Sequence, residues 1–144
     1  MLSAFDADVL IYAATEGHAL GARVAHLFAD AGAAPTGVGS LLLLPEVLSK
    51  PMRTDPRSAE CASLISLLSR LQLLPVDAPV ARLSVALAAR HGLRAADATH
   101  LATAVAAGAD RFLTNNRKDF PTTISEIDIV YPDDLPAPAS PVQR

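Results

Sequence analysis

The chain has 144 residues, 51% of them hydrophobic, enough for one compact domain that buries roughly 70% of its unfolded surface. Aromatic residues make up 4% and Trp is absent, which argues against a large β-sandwich and against a base-stacking platform for single strands. The net charge of −3 carries no nucleic-acid signature, although a bound metal and a local basic rim could supply phosphate contacts.

Cys61 is the only cysteine, so there is no disulfide framework and no Cys-based zinc site. No apolar run reaches the ~20 residues of a membrane span, and no basic N-terminal region precedes an apolar core. A cytoplasmic location is expected.

In chain order, residues 2–6 predict a short buried strand ending at Asp6. Helices follow over Val9–Ala14 and over Ala19–Ala31, the second stopped at Gly32. Thr36–Gly39 reads as a strand or a turn. Leu41–Lys50 is helical in pattern, with a start obscured by Pro45, which brings no N–H. Ser58–Leu71 predicts an amphipathic helix with Cys61, Leu64, Ile65 and Leu68 on one face.

A strand is expected over Leu73–Val76, a helix over Pro79–Arg90 closed by His91-Gly92, and a helix over Ala95–Ala107 stopped at Gly108. Arg111–Thr114 and Ile127–Tyr131 complete the strands. This alternation predicts an α/β fold with a parallel sheet. Residues 1–131 form the expected domain. Residues 132–144 hold four of the 11 prolines and are expected to be a disordered tail.

Three carboxylates, Asp6, Glu46 and Asp97, each stand where an apolar run hands over to another element. A fold that gathered them would concentrate negative charge at a cost that a divalent cation offsets. Each has a plainer reading. Asp6 and Asp8 form a D-x-D at the carboxyl end of the first strand, but Asp8 can simply cap the helix that follows and Asp6 can accept loop amides. Glu46 can pair with Lys50 four residues on. Asp97 suits the first turn of its helix through the dipole, and His100 reads as a satisfied core or edge histidine. Thr114-Asn115-Asn116 delivers small polar side chains to the sheet edge, or is only a turn.

Together, Asp6–Ala13, Leu44–Leu48, Arg94–Ala104 and Phe112–Phe120 resemble the segments of a PIN domain, most closely the VapC-type toxin ribonucleases of type II toxin–antitoxin systems. The resemblance covers about residues 2–131. It implies a three-layer α/β/α sandwich with a central, mostly parallel sheet and an acidic pocket for Mg²⁺ or Mn²⁺. It further implies endonucleolytic cleavage of RNA, a homodimer and inhibition by a cognate antitoxin.

Carried over by position, Asp6, Glu46 and Asp97 are the first three acids, and Thr114 is the small hydroxylic residue near the site. Asp6 and Asp97 would be the metal ligands. The fourth acid is replaced by Asn116, which lends a carbonyl oxygen but no charge. Asp8 or Asp119 could restore that charge. A phosphate-positioning rim would be drawn from Lys50, Arg53, Arg57, Arg94, Arg117 and Lys118, each of which also reads as ordinary surface charge.

Two other readings compete. Phe5–Val9 resembles the strand-terminal D-x-D of haloacid dehalogenase-type phosphatases, with Asp6 as nucleophile, although the late strand ends in Asn115-Asn116 rather than paired acids. A non-catalytic PIN-fold protein-binding module would explain Asn116 directly.

Overall fold

The structure is a computed structural model that describes residues 1–29 and 32–138. Five strands form one parallel sheet: β1 (Ser3–Phe5), β2 (Gly37–Ser40), β3 (Leu71–Leu74), β4 (Arg111–Leu113) and β5 (Asp128–Val130). Their order is β3-β2-β1-β4-β5, with Ala4 opposite Val38 on one side and Phe112 on the other. From β1 the chain builds outward through β2 and β3, then crosses back to add β4 and β5. The order therefore reverses between β1 and β4, where open α/β sheets leave a crevice at the carboxyl ends of their strands.

Side chains alternate across this sheet. Ala4, Phe112 and Ile129 pack under α5 (Ala78–His91) and α6 (Ala95–Ala106), through Val80, Leu87, Ala98 and Leu101. Phe5 and Leu113 point the other way. They meet α1 (Ala7–Ala14), α2 (Ala19–Leu27), α3 (Leu43–Thr54) and α4 (Ala59–Ser69) through Leu10, Val24, Leu43, Val47 and Leu64. With both faces covered, the domain is a three-layer α/β/α sandwich, as expected.

Most helices start on a side-chain cap. Asp6, His18, Ser58 and Asp77 accept from main-chain N–H groups one to three residues on, and Gly92 ends α5 at φ 66°. The second helix ends at Leu27, earlier than its pattern suggested; its expected last residue, Ala31, lies outside the described residues. The Leu41–Lys50 helix starts two residues later than expected, places Pro45 in its first turn, where helical N–H groups lack partners, and runs through Pro51 to Thr54.

The Thr36–Gly39 segment, expected as a strand or a turn, contributes to β2 beside the central strand. A Cβ on Gly39 would stand 2.4 Å from Leu43 Cδ1, so glycine is what lets the start of α3 pack there. Two further expectations change. Ile65 is 48% exposed rather than on the buried face of α4. The folded part also continues past Tyr131: Pro132–Asp134 forms a 3-10 turn, Leu135 is buried, and Arg23 Nη1 donates to the carbonyls of Asp133 and Leu135. Among the described residues no helix is long and apolar enough to cross a membrane.

Candidate active site

Asp6 is the residue immediately after β1, and Thr114 the residue immediately after β4, so both stand at the reversal point of the sheet. Asp6 is 5% exposed. Its Oδ1 accepts from the Ala7 N–H at 2.9 Å, and its Oδ2 accepts from Thr114 Oγ1 at 2.7 Å. Burial raises the Asp6 carboxyl above the ordinary carboxylate range, against the lowering effect of the Thr114 hydrogen bond.

Asp8 does not cap α1; Asp6 does. The strand ends at Phe5, so the D-x-D spans a strand exit and a helical first turn, and strand alternation does not relate its two acids. Asp8 Oδ2 instead accepts from the main-chain N–H of Asn115 at 3.0 Å, tying α1 to the loop after β4. Its Oδ1 is buried and has no hydrogen-bond partner. Burial, followed by repulsion from Asp6, pushes the Asp8 carboxyl up to about 7.

Glu46 lies in the first turn of α3, and its side chain is 38% exposed. It does not pair with Lys50. Its Oε2 lies 2.5 Å from His100 Nε2, and this bond holds the Glu46 carboxyl below its usual range. His100 sits on α6, one turn after Asp97, so the i, i+3 spacing puts both on one side of that helix. Burial works to lower the His100 pKa, but the Glu46 bond and the charges of Asp6, Glu46 and Asp97 leave it raised. Asp97 is itself raised by burial, then by Asp6, Asp119 and Glu46. Asp6, Glu46, Asp97 and His100 therefore lie within electrostatic reach of one another, and Asp119 within reach of Asp97.

Asn116 does not offer an open amide. Its Nδ2 donates to Asp119 Oδ2 at 2.9 Å, while its Oδ1 accepts the Asp119 N–H at 3.2 Å. The Asn116 N–H donates to Thr114 Oγ1 at 3.1 Å, so Asp6, Thr114, Asn116 and Asp119 form one hydrogen-bonded run. Of the expected basic rim, Arg117 is engaged elsewhere: it pairs with Asp133 at 2.5 Å and stacks on Tyr131. Arg94, Lys118, Arg53 and Arg57 are exposed, and Lys50 lines a cleft of about 420 Å³ that begins at Glu46 and runs along α3 to Ser58.

The site's donors are carboxylate oxygens, hydroxyls and amides, which suit a hard divalent cation. The orphaned Asp8 oxygen, and the Asp8 and Asp97 carboxyls raised first by burial and then by the charge of Asp6, mark a crowded acidic neighbourhood. Among the described residues no three His, Cys, Asp or Glu side chains form a ready-made cage. Mg²⁺ does not require one, because it binds through one or two carboxylates and retains waters. From sequence, His100 reads as a satisfied core or edge histidine; it is buried, but it bonds Glu46. The Asp97-x-x-His100 spacing was its only signal, and the Glu46 contact arises solely from folding.

A family model described as PIN domain matches residues 4–123. No curated protein matches the chain. A solved toxin–antitoxin complex from Klebsiella pneumoniae contains a chain 26% identical, with a TM-score of 0.70 over 92% of this chain and 98% of that one. VapBC2 from Rickettsia felis, bound to a DNA fragment from its promoter, contains another that is 19% identical, with a TM-score of 0.68 over 91% and 98%. With its parallel sheet, its reversal point at Asp6 and Thr114, and a family match over most of its length, the chain belongs to the PIN domain family.

Proposed function

We propose that this protein is a Mg²⁺- or Mn²⁺-dependent endoribonuclease, the VapC-type toxin of a toxin–antitoxin pair. The observation that carries this reading is the gathering of Asp6, Glu46 and Asp97 into one electrostatic neighbourhood around the sheet's reversal point. The likeness to a chain of a toxin–antitoxin complex supports the toxin assignment and the antitoxin partner.

Asp6 and Asp97 would hold the cation, which supplies charge stabilisation at the phosphoryl oxygens when bound. Thr114 fixes the Asp6 carboxylate by donating to Oδ2. Glu46 keeps Oε1 open, with Oε2 committed to His100, and orients the attacking water by accepting a hydrogen bond from it. Asp119, held by Asn116, supplies the carboxylate that position 116 lacks. Lys50, Arg53, Arg57, Arg94 and Lys118 position the RNA backbone through phosphate contacts. The exposed Ile65 of α4, beside Leu44 and Leu48 of α3, offers an apolar face for a second copy in a homodimer.

The phosphatase alternative lapses with the family match. The deciding experiment incubates the protein with a mixed RNA pool in Mg²⁺, in EDTA, and as Asp97→Asn. Cleavage confined to the wild type with metal is expected. Undiminished cleavage in EDTA or in Asp97→Asn would overturn the metal mechanism. No cleavage under any condition, with tight binding to a small DNA-binding protein encoded beside it, would favour the non-catalytic module.

A further inference from the structure

We propose that His100 is a positioning residue for Glu46, fixing which of its carboxylate oxygens faces the reacting water. The inference rests on the nuclease reading for Glu46 but concerns a residue outside the acid set. Glu46 belongs to α3 and His100 to α6, and these helices cover opposite faces of the sheet. The two side chains nevertheless meet, with Nε2 and Oε2 2.5 Å apart.

The mobility of the two partners differs. The His100 side chain is fully buried, whereas Glu46 is 38% exposed and carries three rotatable bonds in the first turn of its helix. Left alone, a half-exposed glutamate samples several rotamers. A short, charge-assisted hydrogen bond from a ring locked in the interior removes that freedom and commits Oε2. Oε1 then has one direction left, away from the ring. A general base or water-orienting group gains most from such pre-organisation, because a displacement of about 1 Å can cost about 100-fold in rate.

A second observation separates this arrangement from ordinary packing. His100 Nδ1 is buried and has no hydrogen-bond partner. A histidine kept only to fill space leaves an unpaired polar atom that an apolar side chain of similar size would avoid. The contact with Glu46 is the one hydrogen bond among the described residues that the ring makes.

The test compares wild type, His100→Phe, which keeps volume without a donor, and His100→Gln, which returns an N–H near the Nε2 position, each alone and with Glu46→Gln. Circular dichroism and thermal melting establish that the variants fold. His100→Phe should lower kcat by about tenfold or more while KM changes less than about twofold. His100→Gln should recover most of that loss, and neither change should lower kcat further in the Glu46→Gln background. In metal-free protein, the carboxyl carbon resonance of Glu46, assigned through Glu46→Gln, should shift in His100→Phe and return towards its wild-type position in His100→Gln.

A folded His100→Phe with wild-type kcat, or with the same loss in the Glu46→Gln background, overturns the proposal. So does an unmoved Glu46 resonance. If the wild type cleaves no RNA, the nuclease reading fails, and the resonance still decides whether His100 sets the Glu46 carboxylate.

Discussion

Thr114 Oγ1 donates to Asp6 Oδ2 at 2.7 Å, joining the first residue after β1 to the first residue after β4. The same hydroxyl accepts the Asn116 N–H, so one side chain both orders the buried acid and sets the loop that carries Asp119. Thr114→Val removes the donor and the acceptor at a site with no exposure. It should cost ~2 kcal/mol, the usual price of an unsatisfied buried polar group, while Thr114→Ser should lose under ~1 kcal/mol. Urea unfolding in the presence of chelator measures both.

The two acids assigned to the cation should respond differently to neutralisation. Ala7 and Thr114 donate to different oxygens of Asp6, so Asp6→Asn puts an NH2 donor in place of one acceptor and breaks one of the two contacts. Asp97 is raised by burial and by its acidic neighbours, so Asp97→Asn removes repulsion. In chelator, Asp6→Asn should melt lower than wild type and Asp97→Asn higher. With Mg²⁺ both should lose RNA cleavage by ~100-fold or more, the loss expected when a charge-stabilising group is removed.

Stability without metal should fall as pH rises. Asp8, at about 7 when folded against 3.8 ordinarily, binds its proton more tightly in the folded state, so its contribution is full below pH ~4 and is lost on passing pH ~7. Asp6 and Asp97, also raised, act in the same sense, as does His100, whose raised pKa favours folding at lower pH. Glu46 is lowered, so it loses stability only when pH falls below its ordinary 4.5. Melting temperatures in EDTA should therefore decline from pH 5.5 to 7.5, and Asp8→Asn should flatten that decline.

Asn116 and Asp119 make a reciprocal pair, which bears on the missing fourth acid. Asn116→Asp would replace the Nδ2–H donor with a second carboxylate beside Asp119 and should cost ~1–2 kcal/mol in metal-free protein. Asp119→Asn should weaken Mn²⁺ binding by ~10-fold, since carboxylate count tunes the affinity of hard cations. Calorimetric titration with Mn²⁺ checks both. Unchanged affinity in Asp119→Asn would remove Asp119 from the site.

Arg117 should prove structural. Its pairing with Asp133 and its stacking on Tyr131 hold the C-terminal segment against the loop after β4. Arg117→Ala should lower stability by ~1 kcal/mol, as exposed ion pairs and cation–π contacts contribute little. It should leave RNA affinity within about twofold of wild type, whereas Lys118→Ala should weaken it and reduce its salt dependence by about one phosphate contact. Filter binding across a salt series separates the two.

The sequence by itself determined the α/β class, the approximate span of nearly every element, and the junction positions of Asp6, Glu46 and Asp97. Those features follow from local causes: apolar periodicity, capping residues, and glycine at the end of α5. Tertiary structure decided everything that depended on which elements meet. Thr36–Gly39 reads locally as a strand or a turn, and the pairing of Gly37–Ser40 with β1 and β3 makes it a strand. Glu46 abandons the nearby Lys50 for His100, a partner 54 residues away that only the folded chain brings within hydrogen-bond reach. Asp8 leaves its expected cap for the main-chain N–H of Asn115, because the reversal between β1 and β4 sets the start of α1 beside the loop after β4. Side-chain pairing between distant segments is a property of the closed topology, and no spacing along the chain encodes it.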